Sequence, residues 1–140
     1  MLRLLASCSE GLLHRLPNDL FHRFLETADT AHLKFPVYVT DGPFLHRTAN
    51  GVLLMLWSSF GSKGYAMGIA RSSSGSVQGP WTQESEPLWA EDGGHGMIFR
   101  TFDGGLRLTF HTPNDSPNER AVFWKIEEDD GALRLCSIGS

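Results

Sequence analysis

The chain contains an internal repeat, which restricts its possible folds more than any other feature. Residues 44–59, FLHRTANGVLLMLWSS, align with residues 97–112, MIFRTFDGGLRLTFHT, 53 positions later. Both segments have the same residue at four positions, which are Arg47/Arg100, Thr48/Thr101, Gly51/Gly104 and Leu53/Leu106. A repeat of about 50 residues built from short strands is typical of propeller blades. Two similar hairpins of a β-sandwich are the alternative.

Short apolar runs between Gly, Asn, Asp and Pro residues predict β-strands throughout the chain after Pro36. The predicted strands are Phe44–Arg47, Val52–Trp57, Tyr65–Arg71, Met97–Thr101, Leu106–His111, Ala121–Glu127 and Ala132–Cys136. The turns TANG and FDGG join neighbouring strands into hairpins, because glycine tolerates the positive φ that such turns need. The predicted class is therefore all-β, a partial propeller of two to three four-stranded blades over residues 36–140.

Residues 1–35 have a different pattern. Pro17 precedes Asn18 and Asp19, either of which could cap a helix, and the apolar residues that follow recur at helical spacing. We therefore expect a short N-terminal segment that is helical or mixed, or that is the remnant of a blade.

Length and charge exclude several classes of protein. At 140 residues the chain has room for one domain with a sizeable core. The net charge is −4 and the basic residues are scattered, so we expect no nucleic-acid partner. No apolar run approaches the roughly 20 residues of a membrane helix, and we expect no membrane partner.

The cysteines and the first residues of the chain bear on its location. Cys8 and Cys136 are expected to be free thiols, and a disulfide between them is the alternative. The apolar run near the N-terminus is too short for a signal peptide. The expected location is therefore cytoplasmic.

The repeat also places two chemically active residues in corresponding stretches of the chain. Asp41-Gly42-Pro43 aligns with Gly94-His95-Gly96, and both precede the first strand of a repeat. In a propeller that strand lines the central channel, so Asp41 and His95 should face one pocket. A carboxylate and an imidazole together suit acid–base chemistry or metal binding. The alternatives are a turn stabilised by the Asp41 carboxylate and a purely structural His95.

Several motifs occur in an order that resembles the later blades of glycoside hydrolase family 43. They are VTDGPFLHR, GIARSSSGSVQGPW, DGGHGMIFRTFDGGLRLTFHTPN and NERAVFWKI, and together they extend over about residues 36–130. The resemblance implies a five-bladed propeller enzyme that acts on arabinose- or xylose-containing plant polysaccharides, either an α-L-arabinofuranosidase or a β-xylosidase. It also implies an inverting mechanism, which uses one carboxyl as general acid and another as general base.

The resemblance assigns roles to individual residues. Asp41 holds the position of the general acid, where the family usually has Glu. His95 matches a histidine associated with bound calcium or another cation, and Arg120 matches an arginine that points into the active site. Phe44 could stack on a sugar face and His111 could line the pocket. For Phe44 the alternative is core packing, for His111 a structural role, and for Arg120 a surface ion pair with Glu119.

The general base has no counterpart in residues 1–35, and a five-bladed domain is longer than this chain. The resemblance therefore implies a truncated or split enzyme. Exposed blade faces would then favour a homo-oligomer that completes the site. A base could come from another subunit, or from the carboxylates of the 84–92 loop, which are Glu84, Glu86, Glu91 and Asp92. The alternative function is a non-catalytic carbohydrate-binding or interaction module.

Overall fold

The computed structural model describes residues 40–136. The predicted N-terminal segment, residues 1–35, lies outside this range, so its structure and the proposed domain boundary stay predictions. Within residues 40–136 no helix is long and apolar enough to cross a membrane.

The described residues form two four-stranded antiparallel sheets, and this confirms the predicted all-β class. Each sheet is a meander, with strand orders β1-β2-β3-β4 and β5-β6-β7-β8. The strands are β1 Asp41–Arg47, β2 Leu53–Gly61, β3 Gly64–Ser72, β4 Trp81–Gln83, β5 Gly94–Arg100, β6 Leu106–Thr112, β7 Arg120–Asp129 and β8 Ala132–Leu135. Two successive sheets of this kind are two blades of a partial propeller.

The strand predictions agree with the structure except at one place. Seven of the eight strands were expected within a few residues, but β4 was missed because its three residues are too few to show an alternating pattern. Trp81 begins this strand and is 2% exposed, so the GPW motif supplies a core residue. Trp89 packs against Phe110 and Trp124.

The repeat has the same hairpin geometry in both sheets. The Gly51 N–H donates to the Thr48 carbonyl at 2.9 Å, and the Gly104 N–H donates to the Thr101 carbonyl at the same distance. Both glycines have positive φ, 89° and 86°. The predicted turn chemistry of TANG and FDGG is thus confirmed.

The main core lies between the two sheets. The first sheet contributes one face of β2 and β3 and the second sheet contributes the facing side of all its strands. The buried members are Leu54, Leu56, Met67, Ile69, Ile98, Leu106, Leu108, Phe110, Ile126 and Leu133. A second cluster lies on the opposite face of the first sheet, formed by Leu53, Met55, Trp57, Ala70 and Trp81. The first sheet is therefore buried on both faces.

The second sheet is apolar on both faces but covered on one. Met97, Thr109 and Phe123 are neighbours across β5, β6 and β7, and Phe99 lies on the same side. Met97 is 51% exposed and Phe123 61% exposed. We call these four residues the outer face of the second sheet.

Candidate functional site

Asp41 stands at the entry of β1, where a β-bulge turns its side chain out of the ladder. The pairing with β2 shifts register between Asp41 and Phe44. Gly42 lies inside this bulge with φ 55°, and its N–H donates to Asp41 Oδ1 at 2.7 Å. A bulge redirects one side chain without disturbing the rest of the strand. The carboxylate is therefore held by local turn chemistry and at the same time directed toward the second sheet.

His95 occupies the equivalent entry in the second sheet. The pairing of β5 with β6 shifts register between Gly94 and Met97, so the bulge is repeated. His95 has φ 57°, and its backbone N–H donates to Ser58 Oγ at 2.8 Å. Its Nδ1 atom lies 3.4 Å from Asp41 Oδ2. The predicted convergence of Asp41 and His95 is therefore confirmed, and both side chains remain more than half exposed.

Gly42 is required by this close approach. A Cβ atom built on Gly42 would lie 2.9 Å from two atoms of the His95 ring. That separation is too short for carbon atoms, so any larger residue at position 42 would displace the imidazole. The DGP motif thus supplies both a carboxylate and the space for its partner.

Tyr65, near the start of β3, completes the immediate surroundings of Asp41. Its hydroxyl donates to Asp41 Oδ2 at 3.0 Å, and its ring stacks on His111 with a centroid distance of 5.7 Å. Sequence reasoning missed Tyr65 as a site residue and treated it as the first residue of a strand. The strand register indicates Tyr65 as a neighbour of Asp41. Phe60 pairs with Tyr65 at the same end of the first sheet where Asp41 pairs with Ser58, so Tyr65 lies close to Asp41.

These contacts determine the charge of Asp41. Burial raises the pKa of Asp41, but hydrogen bonds from the Gly42 N–H and the Tyr65 hydroxyl, with the facing His95, outweigh burial and lower it. In turn, burial and the neighbouring Asp41 carboxylate raise the pKa of Tyr65. Asp41 is therefore ionised near neutral pH and Tyr65 remains a neutral donor.

Backbone strain is concentrated at the same place. Of the three residues other than glycine with positive φ in the described range, two are Asp92 and His95. Such conformations are held only where the surrounding structure enforces them, and they often occur at functional sites. Here the enforcing contacts are visible, since Asp92 Oδ1 accepts from the Tyr65 N–H and Oδ2 accepts from the Asn114 N–H.

The other predicted site residues fall into different environments. His111 joins the cluster through Tyr65 and also hydrogen-bonds Asn114 Oδ1 at 2.9 Å. Phe44 is partly buried and packs against the main core, which favours its alternative role in packing. The contact of each residue with a sugar stays a prediction.

Arg120 lies at the same end of the second sheet as His111, since it pairs with Thr112 at the start of β7. Its guanidinium donates to the carbonyls of Pro117 and Glu119, so within residues 40–136 it forms neither the considered ion pair with the Glu119 carboxylate nor a hydrogen bond to Asp41. Its role in substrate binding also stays a prediction.

Of the four carboxylates of the 84–92 loop, Glu84, Glu86 and Glu91 lie away from Asp41, and Asp92 is connected to it. Glu84 pairs with Arg71 at 3.3 Å and Glu91 pairs with Lys63, both on the surface. Glu84 and Glu86 line a different cleft, of about 300 Å³, between β3 and β8. Asp92 shares Tyr65 as a partner with Asp41 and is the one loop carboxylate connected to the site.

The described residues do not provide a full set of protein ligands for the predicted calcium at His95. No group of three or more His, Cys, Asp or Glu side chains within residues 40–136 is arranged to hold a metal ion. Calcium takes six to eight oxygen ligands, whereas His95 offers nitrogen and Asp41 is its one carboxylate neighbour here. The calcium stays a prediction.

Comparisons with known proteins agree with this architecture. No family model and no curated protein matches the chain. Among solved structures, an endo-arabinase from Bacteroides thetaiotaomicron VPI-5482 is 47% identical with a TM-score of 0.63, over 67% of this chain and 34% of that chain. An endo-1,4-beta-xylanase from the same organism is 27% identical with a TM-score of 0.60, over 71% of this chain and 38% of that one.

A third structure, a thermostable family-43 glycoside hydrolase, is 22% identical with a TM-score of 0.60, over 76% of this chain and 38% of that one. This chain therefore spans less than half the length of the enzymes it matches. Its fold class is that of the β-propeller glycoside hydrolases. The described residues have the fold of these enzymes, and the resemblance to glycoside hydrolase family 43 is confirmed.

Proposed function

We propose that this chain acts on arabinose- or xylose-containing polysaccharides or oligosaccharides as an inverting glycosidase, with Asp41 as its general acid. The observation that carries the proposal is the contact between Asp41 Oδ2 and His95 Nδ1 at the entries of two equivalent strands. The 47% identity to an endo-arabinase supports the choice of a pentose polymer.

The proposed reaction needs two proton transfers. Asp41 donates a proton to the glycosidic oxygen as its bond to the anomeric carbon breaks, and a general base takes a proton from the attacking water. We propose that the base comes from another subunit or from Asp92, the loop carboxylate that shares Tyr65 as a partner with Asp41. Arg120, His111 and Phe44 are proposed to bind the sugar.

The ionised state of the Asp41 carboxyl places a condition on its proposed role as general acid. Its lowered pKa leaves the carboxyl ionised in the free protein, whereas a general acid must carry a proton. A bound sugar that excludes water from this half-exposed site raises the pKa of a carboxyl. The proposal therefore requires that Asp41 gains its proton when substrate binds.

Hydrolysis of aryl arabinofuranosides, aryl xylosides and oligosaccharides of arabinan and xylan tests the proposal. We expect turnover by the native protein and its loss in Asp41→Asn. Asp129→Asn is the matched control, because Asp129 is an exposed carboxylate that pairs with Arg134 on the β7–β8 hairpin. Activity that survives in Asp41→Asn would contradict the assignment.

The lowered pKa of Asp41 also favours a second candidate function, a carbohydrate-binding module without catalysis. An ionised carboxylate accepts hydrogen bonds from sugar hydroxyls but cannot donate a proton. Calorimetric binding of arabinan or xylan oligosaccharides without any turnover would select this function.

We also propose that copies of the chain associate through the outer face of the second sheet. By the repeat, Met97 and Thr109 correspond to Phe44 and Leu56. Phe123 pairs with Thr109 as Ile69 pairs with Leu56, so by strand register it corresponds to Ile69. These counterparts lie on the face of the first sheet that the second sheet covers. The outer face of the second sheet thus corresponds to a face that is covered in the first sheet. We expect the outer face of a second copy to cover it, because the inner faces of both sheets are already buried.

Light scattering on a sizing column tests this association. We expect an oligomer that Phe123→Asp dissociates, whereas Val77→Asp, at a residue 55% exposed in the β3–β4 loop, leaves the mass unchanged. A native monomer, or a Phe123→Asp variant of unchanged mass, would exclude the interface.

A further inference from the structure

Tyr65 is a buried hydroxyl donor that is held through contacts of its ring and of its backbone. The residue is 3% exposed. Its ring lies between Phe60, at a centroid distance of 5.3 Å, and His111, at 5.7 Å with an interplanar angle of 20°. Its backbone N–H is held by Asp92 Oδ1 at 3.0 Å. The hydroxyl therefore has little freedom, and it points at Asp41.

The hydroxyl selects one oxygen of the carboxylate. Asp41 Oδ1 accepts the Gly42 N–H, whereas Oδ2 accepts the Tyr65 hydroxyl at 3.0 Å and faces His95 at 3.4 Å. Without Tyr65, rotation of the carboxyl group would be limited by the Gly42 bond alone, because the contact to His95 is longer than a good hydrogen bond.

We propose that Tyr65 is a positioning residue, which holds Oδ2 of Asp41 toward His95 and keeps the free carboxyl in its charged form. A neutral hydroxyl donor stabilises a carboxylate and not its protonated form, so its removal favours proton uptake. The consequence for catalysis rests on the proposed function, whereas the consequence for the charge of Asp41 does not.

Other groups around the carboxyl enter the same titration. His95 on β5 faces Asp41 directly, and His111 on β6 lies behind the Tyr65 ring. Asp92 contacts the backbone of Tyr65, and Ser58 on β2 binds the backbone of His95. A test must therefore change the hydroxyl without moving these groups.

Tyr65→Phe makes that change, because it removes the hydroxyl and keeps the ring between Phe60 and His111. The pKa of Asp41 is followed by carbon-13 NMR of the aspartate carboxyls, with the resonance assigned from its loss in Asp41→Asn. We expect the pKa of Asp41 to rise by about one pH unit. Thr82→Val is the control, since it removes an exposed hydroxyl on β4 and keeps the Tyr65 hydroxyl, and it should leave the Asp41 titration unchanged.

A reciprocal measurement covers the case in which Tyr65→Phe does not fold. The chain has two tyrosines, and their deprotonation is seen by ultraviolet absorbance. Because the two groups interact, removal of the charge in Asp41→Asn should lower the pKa of Tyr65. A folded Tyr65→Phe variant with an unchanged Asp41 pKa, or an unchanged tyrosine titration in Asp41→Asn, overturns the proposal.

Activity separates this proposal from the proposed function. If Asp41 is the general acid, Tyr65→Phe should move the alkaline limb of the pH–rate profile upward by the same pH interval, because the acid stays protonated to higher pH. A shifted Asp41 titration in a protein without turnover supports the positioning role and refutes the enzyme. Turnover with an unmoved alkaline limb, in a variant whose Asp41 titration has shifted, refutes Asp41 as the general acid and leaves the positioning role standing.

Discussion

The two sheets share one repeat but differ in how many of their faces are covered. Strand β2 is buried at seven consecutive residues, whereas its counterpart β6 alternates between buried and partly exposed residues. Successive side chains of a strand point to opposite faces, so the first sheet is enclosed on both sides and the second on one. The sequences of the two repeats differ in the same way, because the apolar Leu54 and Leu56 of β2 correspond to the polar Arg107 and Thr109 of β6.

The entries of β1 and β5 show a second difference. Both contain a β-bulge at the same place, but one carries a carboxylate and the other an imidazole. The repeat therefore conserves the backbone and varies the side chains. Asp41 corresponds to Gly94 and His95 to Gly42, so adjacent positions of the two bulges converge and form an asymmetric pair of a carboxylate and an imidazole.

The largest expected difference between the repeats lies at Leu56 and Thr109. Leu56 is fully buried between the sheets, whereas Thr109 lies on the outer face. We expect Leu56→Ala to lower the free energy of unfolding by about 3 kcal/mol through lost burial and the cavity left behind. Thr109→Ala should change it by less than about 0.5 kcal/mol. Urea unfolding followed by circular dichroism measures both, and equal losses would contradict the difference in burial between Leu56 and Thr109.

The turn glycines should respond alike in both repeats. Gly51 and Gly104 have nearly the same positive φ, and nothing lies near the place of an added Cβ. Alanine at either position is then penalised by backbone conformation alone, by about 1–2 kcal/mol. The two variants should lie within about 0.5 kcal/mol of each other in urea unfolding. A larger gap would mean that one hairpin is restrained by contacts that the other lacks.

A pH-dependent contact distinguishes His46 from its repeat counterpart Phe99. Glu128 on β7 accepts from the His46 ring at 2.8 Å and from the Ala49 N–H at 2.7 Å, and its side chain is 15% exposed. Burial raises the pKa of Glu128, but these hydrogen bonds outweigh burial and lower it from 4.5. The stability it contributes is therefore fully present above about pH 4.5 and is lost as the pH falls through the lowered value.

Glu128→Gln should remove about 1 kcal/mol at neutral pH and flatten the loss of stability below pH 4.5. Glu127→Gln is the matched control, because Glu127 is its exposed neighbour and pairs with Lys125. Thermal unfolding between pH 3 and pH 7 gives, for each variant, the stability at neutral pH and its dependence on acid. An acid dependence that is the same in Glu128→Gln and in the native protein would refute this role.

The sequence predicted the sheets well because their signal is local and repeated. The Gly-containing turns and the apolar runs fixed seven strands, and the 53-residue offset placed Asp41 and His95 together. That inference needed no knowledge of packing, since the entries of equivalent strands in adjacent blades lie on the same side.

Contacts that depend on side-chain direction were harder to predict. Tyr65 reaches Asp41 from the far strand of a hairpin, and Asp92 holds the backbone of that tyrosine, which no local pattern indicates. Short β4 was missed for lack of alternating residues. The pKa of Asp41 also depends on these contacts, so its ionised state could not be read from its position before Gly-Pro.

The smallest expected difference concerns Arg47 and Arg100, which occupy the same repeat position at the ends of β1 and β5. Each guanidinium donates to the carbonyl of its turn glycine, at 2.9 Å for Arg47 and 3.2 Å for Arg100. Arg47 has an additional bond to the Gly75 carbonyl at 2.9 Å. We expect Arg47→Ala to lower the free energy of unfolding by about 1 kcal/mol, and Arg100→Ala by about half of that, because exposed hydrogen bonds contribute little. Equal losses in urea unfolding would show that the bond to the 73–80 loop adds no stability.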